Sequence, residues 1–158
     1  MKIHITKSKA EGLTSLAAFD TCLLNMGIGN QNLVYLSSII PPDSEIIEGK
    51  AEFDDSHFGN KLYCVMAQKR VTIRNRQAWA GIGWVQDEKT GKGLFVEHTG
   101  HSSDEVQQDI NNTLNNMIKN RPDTNWSRIH MMIEGIQCGD KPVCAMVAAV
   151  YQSEAWSK

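Results

Sequence analysis

Gly93-Leu94-Phe95-Val96-Glu97-His98-Thr99-Gly100-His101-Ser102-Ser103-Asp104-Glu105-Val106 changes its periodicity part-way along. Residues 93–99 read as a strand. Its period of two puts Phe95, Glu97 and Thr99 on one face and Leu94, Val96 and His98 on the other. At Ser102, with Glu105 three residues on, a capping-box signature opens a helix. The apolar stripe of that helix is Val106, Ile110, Leu114 and Met117, and Arg121-Pro122 ends it.

Working outward, two strands follow the helix, over 127–137 and 143–152, around a turn at Gly139-Asp140-Lys141-Pro142. Before it, strand signals cover 61–68 and 80–86, and Asp87-Glu88-Lys89-Thr90-Gly91 is the turn into 93–99. Residues 2–6 alternate like an edge or half-buried strand. Residues 13–26 carry Leu13, Leu16, Phe19, Leu23 and Leu24 at helical spacing, with Gly27 and Gly29 to stop them. Asn32 to Ser37 reads as a short strand, halted by Pro41-Pro42. The polar, acidic stretch 43–60 reads as a long connection. The order is not a run of alternating βα units, and no linker interrupts it. The expectation is one α+β domain over 1–158, with two sheets packed face to face and each covered by one helix.

Composition narrows the function classes. The chain has 158 residues, 41% hydrophobic and 22% charged, with a formal net charge of −2. No basic cluster is present to draw a phosphate backbone, so nucleic acid is not an expected partner. No apolar run suits a bilayer, and Met1 to Lys7 lacks a signal-peptide core, so no membrane partner and a cytoplasmic location are expected. Cys22, Cys64, Cys138 and Cys144 show no C-x-x-C pair and no zinc spacing, which fits reduced, structural thiols. Glu97, His98 and His101 match no familiar ligand motif, so no metal is expected.

Four features bear on chemistry. Ser37-Ser38 lies between an apolar strand and a rigid proline corner. A serine pair is ordinary loop sequence, but held in a strained geometry Ser38 Oγ can attack the Ser37 carbonyl carbon. Gly27-Ile28-Gly29-Asn30-Gln31-Asn32 is either turn punctuation or a place where backbone approaches a small ligand, with Asn32 able to donate to a carbonyl. Asp20 falls inside the arc of Leu13, Leu16 and Leu23, where a carboxylate needs either a structural partner or a cationic ligand. Glu97 is either a solvated edge residue or, under a covered face, a desolvated acid that keeps a proton to donate.

Taken together, Glu11-Gly12, Thr14, Leu16, Ala18-Phe19-Asp20, Leu23-Leu24-Asn25, Gly27-Ile28-Gly29-Asn30 and Asn32-Leu33, then Ser37-Ser38 and Pro41-Pro42, closely resemble the amino-terminal part of pyruvoyl-dependent arginine decarboxylases. The resemblance resumes at Gly93-Leu94-Phe95-Val96-Glu97 and at Cys144-Ala145-Met146-Val147-Ala148-Ala149. It implies a four-layer αββα sandwich, assembled as a homotrimer or a dimer of trimers with sites between subunits. It implies self-cleavage between Ser37 and Ser38 into a 1–37 beta chain and a 38–158 alpha chain, with Ser38 becoming a covalent pyruvoyl cofactor. The implied reaction converts L-arginine to agmatine and carbon dioxide through a Schiff base. By the same resemblance Asn32 assists processing, Glu97 donates the proton, Asp20 meets the guanidinium, and Gly29 lines the substrate site. Lysine, ornithine or histidine as substrate, or an unprocessed non-catalytic homologue, are the alternatives.

Overall fold

The computed structural model describes residues 1–157. Its elements in chain order are β1 (Lys2–Glu11), α1 (Ser15–Asn25), β2 (Asn32–Tyr35), β3 (Ile39–Ile40), β4 (Glu45–Glu48), a 3-10 turn (Asp55–His57), β5 (Lys61–Val71), β6 (Gln77–Gln86), β7 (Gly93–Gly100), α2 (Ser103–Lys119), β8 (His130–Gln137) and β9 (Val143–Glu154). They build a five-stranded sheet in the order β2-β5-β9-β1-β4 and a four-stranded sheet in the order β3-β7-β6-β8.

Side-chain alternation explains the layering. On β9, Val143, Ala145, Val147, Ala149 and Tyr151 meet Ile82, Trp84 and Phe95 of the opposite sheet. The intervening Cys144, Met146, Ala148 and Val150 pack beneath α1 with Ala18, Cys22 and Leu23. With both faces covered, the strand has to be apolar throughout. On the far side, Val85, Leu94 and Val96 carry Val106, Ile110 and Leu114 of α2. The stack is therefore helix, sheet, sheet, helix, as expected.

The capping box is formed: Ser102 Oγ accepts from Glu105 N at 3.1 Å, and Glu105 Oε2 accepts from His101 N at 2.6 Å. Gly83 lets α2 sit close, since a Cβ there would lie 2.2 Å from Ile110 Cγ2.

Two expectations need correction. Residues 43–60 are not all connection, because β4 lies within them and pairs parallel with β1, Ile3 opposite Ile46. Its Glu-Ile-Ile-Glu sequence carries no alternation, so only the long-range pairing reveals it. The buried face of α1 is Ala18, Cys22 and Leu23, whereas Leu13 is 84% and Leu16 is 65% exposed. Close approach selects the small side chains: a Cβ on Gly12 would meet Ala18 N at 2.3 Å. Asp20 is therefore exposed on the outer face of α1, not inside the buried arc.

Candidate active site

β2 continues past its last regular residue, since Leu36 N donates to Cys64 O at 2.9 Å. The chain then leaves the five-stranded sheet and crosses to the other sheet through Ser37 and Ser38. Ser38 takes φ = 67°, a left-handed conformation that costs a non-glycine residue about 1–2 kcal/mol. Several contacts hold it there. Its carbonyl accepts from Phe95 N at 2.8 Å. The next residue pairs with β7, Ile39 opposite Leu94. Its hydroxyl donates to Glu97 Oε1 at 2.6 Å.

Glu97 reaches Ser38 because β7 alternates as expected. Phe95 turns into the layer between the sheets and is 1% exposed. Glu97, two residues on, shares that face at the half-buried end of the layer. It borders an open cleft of 410 Å³ lined by Tyr35, Met66, Ala67, Gln68, Glu97, His98 and Thr99. His98 turns its ring the other way, with Nε2 2.8 Å from Thr113 Oγ1 on α2. Among the described residues no three His, Cys, Asp or Glu side chains converge as metal ligands.

The remaining sequence-predicted residues lie elsewhere. Gly29 lines a separate cavity of 190 Å³, together with Leu24, Asp54 and His57 among others. A Cβ on Gly29 would lie 2.6 Å from Leu24 Cδ2, so a side chain there would displace Leu24. In the same cavity Ser56 and His57 hydrogen bonds hold the Asp54 carboxyl below the usual range. Asn32 donates from Nδ2 to Gly59 O at 2.7 Å. Five residue-to-residue steps of nearly extended chain, about 16 Å, separate it from Ser37. The carbonyl to which Asn32 donates is therefore that of Gly59, not that of Ser37 in the same chain. Thus Ser38 and Glu97 meet, while Asp20, Gly29 and Asn32 stand apart from them.

Two contributors escaped the sequence reading. One is the Phe95 backbone N–H. The other is Tyr151, whose hydroxyl donates to Ile39 O at 2.9 Å. The signal for Tyr151 was its polar tip at the end of the otherwise apolar run 143–150.

A strained serine beside a carboxylate, at a crossover between two sheets, is an arrangement suited to backbone self-cleavage. Comparison with known proteins gives the family. The sequence model of the pyruvoyl-dependent arginine decarboxylases matches residues 2–155. The pyruvoyl-dependent arginine decarboxylase of Thermococcus sibiricus is 32% identical over 152 residues, covering 94% of this chain and 93% of that protein. Its namesake in Pyrococcus abyssi is 33% identical over the same shares. That of Methanothermobacter thermautotrophicus is 52% identical over 48 residues, 30% of this chain and 32% of the relative. The chain belongs to the pyruvoyl-dependent arginine decarboxylase family.

Proposed function

We propose that this protein cleaves itself between Ser37 and Ser38 and then converts L-arginine to agmatine and carbon dioxide. The observation that carries the reading is the 2.6 Å bond from Ser38 Oγ to Glu97 Oε1 on a residue with φ = 67°.

In processing, Ser38 Oγ attacks the Ser37 carbonyl carbon while Glu97 orients the hydroxyl by accepting its hydrogen bond. The Ser38 nitrogen leaves that carbon and takes up a proton, so the amide becomes an ester and the left-handed strain is released. Loss of the Ser38 α-proton then expels the Ser37 carboxylate and leaves a dehydroalanine. One water replaces its nitrogen, which departs as ammonia, and residue 38 ends as a ketone. The backbone fits this product: the Ser38 carbonyl is already held by Phe95 N–H and needs no rearrangement.

The ketone supplies a carbonyl that takes up the substrate amine and draws off the electron pair as carbon dioxide departs. The protein residues do the rest. Phe95 N–H stabilises negative charge on the adjacent amide oxygen. Glu97, released from the Ser38 hydroxyl, delivers a proton to the α-carbon. Asp20 accepts the planar guanidinium through two parallel bonds, a match that an ammonium lacks.

Asp20 and Gly29 lie outside the Glu97 cleft, and Leu13, Leu16 and Leu24 are exposed beside Asp20. This supports completion of each site by a neighbouring copy, in a homotrimer of cleaved chains or a dimer of trimers. Asn32, set apart from Ser37 of its own chain, is assigned to assist processing at such a shared site. No helix among the described residues is long and apolar enough to cross a membrane; we read the enzyme as cytoplasmic. Intact mass together with agmatine release from arginine tests the proposal. A single uncut chain that releases no agmatine refutes it.

A further inference from the structure

We infer that the Tyr151 hydroxyl is a positioning group that holds the reactive chain start in place once residues 37 and 38 part, an inference that rests on the self-cleavage proposed above. Tyr151 belongs to the five-stranded sheet and Ile39 to the four-stranded one, so their 2.9 Å hydrogen bond ties the two sheets at the residue next to the cut. The other inward-facing residues of β9, Val143, Ala145, Val147 and Ala149, are apolar. Tyr151 is the point where this strand brings a hydroxyl into the layer. It is 9% exposed, and a phenol so buried needs a partner, which Ile39 O provides. Its ring meets the edge of Phe95 at 6.2 Å, on the residue whose N–H holds the Ser38 carbonyl.

The need for such a tie follows from the shortness of β3. Its ladder with β7 has only two pairs, Ile39 with Leu94 and Ile40 with Gly93. In the uncut chain, residue 38 is also restrained from the Ser37 side. After cleavage it becomes a terminus, and termini fray unless tied down. What then remains is the two-pair ladder, the Phe95 N–H and the Tyr151 hydroxyl. Burial, and the nearby negative charge of Glu97, push the Tyr151 phenol up, so it keeps its proton and stays a donor.

The test compares Tyr151→Phe in the cleavable protein and in a Ser38→Ala background that cannot cut. Gel and intact mass report cleavage, thermal unfolding reports Tm, and steady-state kinetics separate kcat from KM. We expect Tyr151→Phe to cut as wild type does. In the cut protein its Tm should fall by about 2–4 °C more than in the uncut background. The kcat for arginine should drop about tenfold, a loss of the size expected when a hydrogen bond in a buried site is removed, with KM within twofold. Equal Tm losses in both backgrounds, or an unchanged kcat, would overturn the role of Tyr151 alone. A wild-type chain that never cuts removes both this role and the self-cleavage reading.

Discussion

Ser38 and Glu97, 59 positions apart in sequence, are joined by a 2.6 Å hydrogen bond at the point where the chain crosses from one sheet to the other. The bond exists because β3 pairs with β7 immediately after the crossover, Ile40 opposite Gly93. Sheet register, more than any local motif, delivers the carboxylate to the hydroxyl.

Removing that hydroxyl is the most direct probe. Ser38→Ala should run as one chain on a denaturing gel, where wild type is expected to give fragments 1–37 and 38–158. The variant should also lack a carbonyl reactive toward hydrazines. Two fragments from Ser38→Ala would move the cut elsewhere.

Glu97→Gln separates processing from turnover. The amide oxygen still accepts from Ser38, so cleavage should go to completion. An amide has no proton of suitable acidity to give, and kcat should fall at least about 100-fold. Wild-type turnover by this variant would require another donor.

Asp20→Asn should leave stability within about 0.5 kcal/mol of wild type, because the carboxylate is exposed on α1. The KM for arginine should rise strongly while the KM for a neutral analogue does not. An unchanged KM for arginine would place the guanidinium elsewhere.

Gly83→Val tests the seating of α2. A Cβ at this position would stand only 2.2 Å from Ile110 Cγ2, so the helix has to lift from the sheet. A stability loss of about 1–3 kcal/mol in chemical denaturation is expected.

The buried thiols make a pH prediction. Burial pushes Cys64 up to about 12 from an ordinary 9.0, and the neighbouring Cys22 together with burial pushes Cys144 up as well. Native protein should therefore resist iodoacetamide at pH 8 and alkylate fully in denaturant. The unfolded chain loses these protons first, so their contribution to stability is complete below about pH 9 and fades as pH climbs toward 12. Denaturation midpoints across that range check the sign.

Local signals were legible in the sequence and long-range ones were not. Ser102 with Glu105 announced α2, and the alternation over 93–99 put Phe95 and Glu97 on one face, because each depends on neighbours a few residues away. The two-sheet stack followed from counting strands and helices. The inner face of α1 could not be read the same way. Leu13 and Leu16 outrank Ala18 and Cys22 in hydrophobicity, but the closeness of helix to sheet favours the small residues. β4 was hidden because its partner β1 lies over forty residues upstream. The tie from Tyr151 to Ile39 spans 112 positions and has no local trace.

The placement of β1 has a further consequence. It lies inside the five-stranded sheet, between β9 and β4, and it belongs to the piece upstream of the proposed cut. A severed 1–37 fragment is thus interlaced with the remainder and cannot drift away while the sheet is intact. After full denaturation the two pieces have to find each other again, so recovery becomes second order and should improve with protein concentration.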